Sequence, residues 1–257
     1  MSLPPFWRSD KIMLKKWNWY ELFLLVALLG MAICCAVFLA DYWSKTCTAK
    51  QEFLKLSEIM HTNNNPLADE EDSSNISALR EKNSDCIGWL QSADMEIDYP
   101  IMHTPNQPEY YLRRNFSKHY SIAGTPFVDA GCDIFGSLNV IIHGHNMKDG
   151  SMFASLEKYQ DKQYGLDHSQ FTLYLENEVR KYNLMAVLHF ELTPENINQY
   201  YKIPESRVEF ENYVDFLEEK SLYCGGYSAT WGDQLLTLST CDNKTENGRI
   251  LVVAKEL

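Results

Sequence analysis

A cysteine and an arginine close to the C-terminus are the residues best suited to do chemistry. Cys241 ends the stretch 234–241, and Arg249 follows eight residues later, directly before the stretch 250–254. The first stretch carries leucines and threonines and the second is almost continuously apolar, so both predict β-strands. A thiol at the end of one strand, facing a permanent cation at the start of the next, is the arrangement expected of an activated cysteine nucleophile.

The chain offers several histidines as a proton-transfer partner for such a cysteine. Five of them occupy ordinary helix-end, strand or loop positions, namely His61, His103, His119, His168 and His189. His143 and His145 differ, because they end the apolar stretch 139–145 and Gly144 between them allows a sharp exit from a sheet. Strand alternation puts both side chains on the same face, so geometry alone leaves the choice between them open.

These residues carry a resemblance to a known family. Residues 237–241, Thr-Leu-Ser-Thr-Cys, followed by Arg249, resemble the signature of the sortases. Residues 143–153 resemble the sortase histidine motif in its class B form. Matching segments continue upstream at residues 87–90, 99–102 and 109–115, so the resemblance covers residues 85–257.

The resemblance implies a fold and an activity. The fold is mainly β: an eight-stranded sortase-type β-barrel with N-terminal helices and one long inserted helix. The activity is that of a cysteine transpeptidase, in which His145, the histidine after the glycine, is catalytic together with Cys241 and Arg249. Cys241 would attack a backbone carbonyl to form a thioacyl enzyme, His145 would exchange protons with the leaving and incoming amines, and Arg249 would stabilise the oxyanion.

The resemblance also implies partners outside a Gram-positive cell membrane. The substrate is a sorting-signal peptide of secreted surface proteins, of the Asn-Pro-x-Thr-x or Ser-Pro-x-Thr-x type, and the acceptor is an amine of a peptidoglycan precursor. Ser239, Thr240 and Asp242 are predicted substrate contacts. For Ser239, on the same strand face as Cys241, a purely structural role as a half-buried strand serine is an equal alternative.

Residues 22–40 predict a single transmembrane anchor. These nineteen residues contain no charge, and at about 1.5 Å per residue they are long enough to cross the hydrocarbon core of a bilayer. Four basic residues precede the span and Asp41 follows it, so the positive-inside rule puts residues 1–21 in the cytoplasm and the rest of the chain outside. A cleaved signal peptide and a core helix are the alternatives, but the span is longer than a typical signal-peptide apolar region.

A membrane-proximal helical segment is predicted over residues 41–84. Residues 46–61 have a loosely helical apolar pattern, and residues 76–82 read as a second short helix. Between them, residues 62–74 are rich in asparagine and acidic residues and include a proline, which favours a loop.

Residues 85–257 predict the catalytic barrel domain. Seven stretches read as strands: 86–90, 96–102, 139–143, 170–175, 181–190, 234–241 and 250–254. Such a density of short strands is typical of a barrel or sandwich in one domain. The exception is residues 206–223, where apolar side chains recur at helical spacing and predict an amphipathic helix before the Cys241 strand.

Charge and cysteine usage narrow the functional classes. The net charge of −12 argues against a nucleic-acid partner, which requires a basic surface. The five cysteines outside the span show no metal-ligand spacing, so we expect no metal and no cofactor. An odd number leaves at least one thiol free, and we expect it to be Cys241, whereas spacing says nothing about pairing among the other four.

Three alternatives to a class B transpeptidase remain open. The first is a cysteine peptidase that acts mainly by hydrolysis, since the two activities differ only in which nucleophile reaches the thioester. The second is a pilus-assembly sortase, although the N-terminal anchor, the helical extension and the helix before the Cys241 strand are similar to class B. The third is a membrane-tethered scaffold with an inactive site, which the joint presence of His145, Cys241 and Arg249 argues against.

Overall fold

The computed structural model describes residues 18–61 and 69–257. Residues 1–17, most of the predicted cytoplasmic N-terminus, and residues 62–68, half of the predicted linker, lie outside the described residues. The chain divides into two compact units, one ending at Ser44 and the other running from Lys45 to Leu257.

The first helix, α1 (Trp19–His61), contains the predicted anchor. Its portion Trp19–Ser44 is long and apolar enough to cross a membrane, and none of it is buried within the protein. Length and composition therefore agree with the anchor predicted over residues 22–40, which stays a prediction.

The second helix, α2 (Asp69–Lys82), begins seven residues earlier than the predicted helix 76–82. Residues 69–74, predicted as loop, are thus helical. The sequence did not separate the two states here, because acidic residues are common both in loops and in the first turn of a helix.

The second part of α1 and the helix α2 belong to the same compact unit as the strands. Phe53 and Met60 of α1 and Leu79 of α2 are buried in one apolar cluster with Trp89 and Tyr111 from the sheet region. The helices of the predicted segment 41–84 therefore contribute to the core of this unit from Lys45 onward.

Within the described residues, nine strands form one sheet. Their bounds are β1 (Cys86–Ser92), β2 (Asp98–Met102), β3 (Phe127–Val128), β4 (Asn139–His143), β5 (Gln170–Leu175), β6 (Val179–Glu191), β7 (Tyr223–Cys224), β8 (Leu235–Cys241) and β9 (Gly248–Glu256). The strand order is β5-β1-β2-β3-β4-β8-β9-β6-β7, and an additional β5–β6 pairing closes the first eight into a barrel. Strand β7 is attached outside the closed ring, so the predicted eight-stranded barrel is confirmed.

Each of the seven predicted strands is present, whereas β3 and β7 were not predicted. Both have only two residues, too few to show an alternating pattern. The predicted helix 206–223 extends three residues too far, since the observed helix ends at Lys220 and the short strand β7 begins at Tyr223.

The remaining helices are α3 (Lys162–Asp167), α4 (Ile197–Tyr200) and α5 (Arg207–Lys220), and two 3-10 helices span Tyr110–Arg113 and Ala154–Gln160. Helix α5 corresponds to the predicted amphipathic helix. The side chain of Ser206 caps it by accepting a hydrogen bond from the backbone N–H of Glu209. Phe210 and Leu217 are fully buried on its apolar face.

Three neighbouring strands position the predicted site. In the parallel β4–β8 pair, His143 lies opposite Ser239. In the antiparallel β8–β9 pair, Cys241 lies directly opposite Arg249. Both pairs are anchored in the core by buried apolar runs, so the strand ends that carry these residues have a rigid base.

Candidate functional site

A cleft of about 610 Å³ lies over the ends of β4, β8 and β9. It collects most of the predicted site residues. Its lining includes His143, Gly144, His145, Ser239, Thr240, Cys241 and Arg249, together with Leu112, Phe127, Asp129 and Tyr201. A second cavity of about 320 Å³, between α1 and β2, contains none of the predicted site residues.

Cys241 and Arg249 form a cross-strand pair at the loop end of the β8–β9 hairpin. Direct partners in an antiparallel pair have Cα atoms about 4.5–5.5 Å apart. The Cys241 residue is half-buried and its thiol is free. Since the guanidinium carries a permanent charge, the hairpin register places a cationic residue on the same face of the sheet as this thiol.

Tyr201 also lines the cleft, and no sequence motif predicts it as a site residue. Its hydroxyl and the hydroxyl of Ser239 are 2.8 Å apart and share a hydrogen bond. Burial raises the pKa of Tyr201, while the Ser239 bond and the nearby Arg249 charge act in the opposite direction. The phenol therefore stays protonated at neutral pH and can donate to an acceptor in the cleft.

His143 and His145 both line the cleft but have different environments. The Nε2 atom of His143 is 3.0 Å from Oδ2 of Asp129, and its ring packs between Phe127 and Tyr201 at centroid distances of 5.5 Å to each. His143 is thus oriented by a carboxylate, whereas His145, which follows the strand, is bonded to a backbone carbonyl.

His145 is held by the backbone. Its Nε2 atom is 2.8 Å from the carbonyl oxygen of Leu112. A carbonyl only accepts, so Nε2 carries the proton and the neutral ring has its lone pair on Nδ1. Burial lowers the pKa of His145, and the charge of Arg113 acts in the same direction. The imidazole is therefore neutral at neutral pH, with Nδ1 available to take a proton.

Gly144 is required by close packing. Its backbone N–H donates to the carbonyl of Ser239 at 3.0 Å, which draws the histidine segment onto β8. A Cβ atom at this position would lie 2.6 Å from the ring of Phe153. Glycine at this position therefore allows the backbone between His143 and His145 to pack closely against Phe153.

Asn146 connects the histidine segment to the nucleophile strand, and it was also missed. Its side-chain amide donates to the carbonyl of Cys241 at 2.9 Å and to Oε1 of Glu157 at 2.8 Å. Its own carbonyl accepts from the side chain of Asn243 at 3.0 Å. An amide directly after a candidate catalytic histidine was visible in the sequence, but its partners lie 11 to 97 positions away.

Two of the three predicted substrate contacts line the cleft, and the third does not. Ser239 and Thr240 line the cleft, although both are nearly inaccessible, and Thr240 donates its hydroxyl to the carbonyl of Gly144 at 2.8 Å. Asp242 does not line the cleft. Its carboxylate is buried and bonded to His189 and Thr245, both at 2.8 Å.

The other cysteines give no competing nucleophile inside the barrel. All seven lie in the described ranges and are free. Burial raises the pKa of the Cys86 and Cys132 thiols to about 12, so both stay protonated and unreactive at neutral pH. Among the described residues, no group of His, Cys, Asp and Glu side chains is arranged to hold a metal ion.

Known proteins share both the sequence and the fold. The family model described as the sortase domain matches residues 93–257, more than half of the chain. Sortase B of Listeria monocytogenes is 36% identical over 180 residues, which covers 69% of this chain and 72% of the relative. Sortase B of Staphylococcus aureus is 26% identical over 181 residues, with the same coverage.

Solved structures give the same result. The sortase B structure from B. anthracis matches with a TM-score of 0.73 and 28% identity, covering 84% of this chain and 99% of that chain. The sortase B structure from Listeria monocytogenes matches with a TM-score of 0.61 and 34% identity, covering 70% and 99%. With a closed eight-stranded barrel and one cleft that holds its cysteine, histidine and arginine motifs, the chain belongs to the sortase family and is a class B sortase, a cysteine transpeptidase.

Proposed function

We propose that the protein is a membrane-anchored transpeptidase that cleaves a sorting-signal peptide and joins the cleaved protein to a peptidoglycan amine. The observation that carries the proposal is the single cleft lined by His145, Cys241 and Arg249. The cleft supplies a nucleophile, a proton carrier and a permanent cation, which are the three groups that acyl transfer to a thiol requires.

The first half-reaction begins at Cys241. Its thiol loses a proton to Nδ1 of His145, and the sulfur attacks the scissile carbonyl carbon. The resulting oxyanion is stabilised by Arg249, with Tyr201 as a further donor in the cleft. Collapse of the tetrahedral intermediate breaks the peptide C–N bond, and the imidazolium gives its proton to the leaving amine.

The second half-reaction uses the same groups in reverse. An incoming amine loses a proton to neutral His145 as its nitrogen attacks the thioester. The C–S bond breaks, a new amide bond forms, and the proton returns to the sulfur of Cys241. A histidine with a lowered pKa suits both directions, because its neutral form accepts protons and its charged form gives them up readily.

The proposed location is the outer face of the cell membrane. The apolar part of α1 would span the bilayer once, with residues 1–21 in the cytoplasm by the positive-inside rule. Protease added to intact cells is then expected to digest residues 45–257, and protection of this part of the chain would contradict the orientation.

The proposed substrate is a pentapeptide of the Asn-Pro-x-Thr-x or Ser-Pro-x-Thr-x type, by similarity to class B sortases. The full chain in detergent micelles is mixed with a fluorescent peptide of each type, with and without triglycine as the amine. We expect cleavage of at least one peptide and an amide product that contains triglycine. The variant Cys241→Ala, which keeps the fold but lacks the sulfur, should give neither product.

The same assay distinguishes the alternatives. Hydrolysis whose rate and products do not change with any amine would contradict the transpeptidase and indicate a peptidase. Efficient transfer to a lysine side chain of a second protein, with none to triglycine, would indicate pilus assembly.

A further inference from the structure

The loop between Cys241 and Arg249, residues 242–248, is folded around one side chain. Oδ1 of Asp242 accepts from the backbone N–H of Lys244 at 2.9 Å, and Oδ2 accepts from the hydroxyl of Thr245 at 2.8 Å. The backbone N–H of Asp242 donates to the carbonyl of Gly248 at 2.8 Å, which continues the β8–β9 ladder one step beyond Cys241. The loop therefore depends on the Asp242 carboxylate for its shape.

The third bond of this carboxylate is made with a residue of another strand, β6. His189 of β6 places Nε2 2.8 Å from Oδ2 of Asp242. In the β6–β9 pair His189 lies opposite Ile250, and the next residue, Phe190, lies opposite Arg249. Strand β9, which carries Arg249, lies between β8 and β6. The bond between His189 and Asp242 therefore connects the end of β8 with β6 across β9.

The carboxylate is well suited to a permanent bond of this kind. The side chain of Asp242 is only 2% exposed, and that of His189 is 30% exposed. Burial opposes ionisation of Asp242, but the bonds from Lys244, Thr245 and His189 outweigh it and hold its pKa below the ordinary value. Removing one donor from a buried carboxylate leaves it partly unsatisfied, which destabilises the arrangement around it.

Asp242 directly follows the nucleophile in the chain. An acid beside a nucleophile would be expected to orient the catalytic histidine, as in acid–histidine–nucleophile triads. The geometry is different here, because Nε2 of His145 is bonded to the carbonyl of Leu112 and the Asp242 carboxylate is bonded to His189. The Asp242 carboxylate therefore connects the end of β8 with β6 and does not orient His145.

We propose that His189 and Asp242 form a positioning pair that holds Cys241 opposite Arg249. Neither side chain touches the reacting atoms. The proposal rests on the proposed function, in which Arg249 stabilises the oxyanion on the carbonyl that Cys241 attacks. A cation displaced by a fraction of an ångström would weaken this stabilisation at the transition state and leave peptide binding largely intact.

The test compares His189→Leu, which removes the donor, with His189→Gln, which keeps an amide donor for Asp242. His168→Leu is the matched control, since His168 has the same 30% side-chain exposure and lies near a carboxylate, Asp94, at 3.8 Å, but does not line the cleft. The full chain in detergent is assayed for kcat and KM with the signal peptide and triglycine. The rate of iodoacetamide addition to Cys241 is measured by peptide mass spectrometry, and the midpoint of thermal unfolding is recorded.

For His189→Leu we expect kcat to fall about tenfold or more with KM nearly unchanged, together with slower alkylation of Cys241. His189→Gln should recover most of both losses, and His168→Leu should match the wild type. A wild-type kcat and alkylation rate in His189→Leu would overturn the proposal. So would equal losses in His189→Leu and His189→Gln, because a merely structural histidine would give that result.

The two proposals fail in different ways. If the wild type forms no triglycine product, the proposed function fails, while alkylation of Cys241 in the two His189 variants still decides the positioning pair. If the wild type is active and the His189 variants show neither loss nor recovery, only the positioning pair fails.

Discussion

The amide of Asn146 donates a hydrogen bond to the backbone carbonyl of Cys241 at 2.9 Å, and thereby joins the histidine segment to the nucleophile strand. Asn146 directly follows His145, so a movement of either segment is transmitted to the other through one side chain. The same amide contacts Glu157, which fixes its orientation. The relative position of His145 and Cys241 therefore depends on a residue that needs no contact with substrate.

This bond predicts the effect of Asn146→Ala. Without the amide, the Cys241 carbonyl and the Glu157 carboxylate each lose a donor, and the histidine segment keeps its Gly144 bonds to β8 but loses this one. We expect kcat to fall by about tenfold, with a smaller change in KM, measured with the signal peptide and triglycine. Asn106→Ala, at an exposed position, is the control. An unchanged kcat in Asn146→Ala would contradict the role given to this bond.

The two histidines of the cleft are predicted to differ in function. His145→Ala should lower kcat/KM by about 10²–10⁴-fold, because no other group on the proposed path carries the proton. His143→Ala should keep substantial activity, since its imidazole is oriented by Asp129 and packs against Tyr201. Steady-state kinetics on both variants checks this, and the assignment is wrong if His143→Ala is the inactive one.

Arg249→Lys should be severely impaired although it keeps the positive charge. A lysine ammonium cannot reproduce the planar fork of donors, and loss of oxyanion stabilisation costs about 10²–10³-fold in kcat. The variant should retain the β8–β9 pairing, which circular dichroism can verify. Wild-type kcat in this variant would make Arg249 a structural residue. Arg207→Lys, on the exposed side of α5, serves as the control.

Asp98 predicts a pH dependence of stability. Burial opposes its ionisation, but hydrogen bonds from His61, Ser57 and Trp89 outweigh burial and hold the pKa of Asp98 below its ordinary value. A carboxyl with a depressed pKa stabilises the fold at pH values above its unfolded pKa of about 3.9, and this contribution is lost as the pH falls through the folded pKa.

The variant Asp98→Asn tests this linkage. Its free energy of unfolding by urea should be about 1–3 kcal/mol lower than that of the wild type between about pH 5 and 6. The difference should shrink as the pH falls below about 4, where the wild-type carboxylate becomes protonated. Asp215→Asn, on the exposed face of α5, should show no such trend. A difference that is independent of pH would contradict the linkage.

Gly144→Ala should disturb the site through packing. The added methyl group would lie 2.6 Å from the ring of Phe153, so either the ring or the histidine segment has to move. Overpacking of this kind costs about 1–3 kcal/mol, and we expect a matching loss of thermal stability together with reduced activity. Gly30→Ala, where no atom lies within 4 Å of the added methyl, is the control. Normal activity and stability in Gly144→Ala would contradict this prediction and show that the Phe153 ring can move aside without disturbing the site.

Local patterns predicted much of the fold. The apolar runs of β8 and β9 and the helical spacing of α5 are visible over 7 to 14 residues, because burial of one face imposes a period on the sequence itself. The two-residue strands β3 and β7 and the early start of α2 escaped prediction. Two residues carry no period, and acidic residues favour both a loop and the first turn of a helix.

The sequence by itself determined the chemical groups of this protein: a thiol, an arginine eight positions later, a glycine flanked by histidines, and an apolar segment long enough to cross a membrane. Only the tertiary structure decided which groups meet. The backbone carbonyl of Leu112 holds His145, and the histidine bonded to Asp242 is His189, 53 positions away. The physical reason is that side-chain type follows from the sequence directly, whereas a hydrogen-bond partner follows from barrel closure, which brings distant strands together.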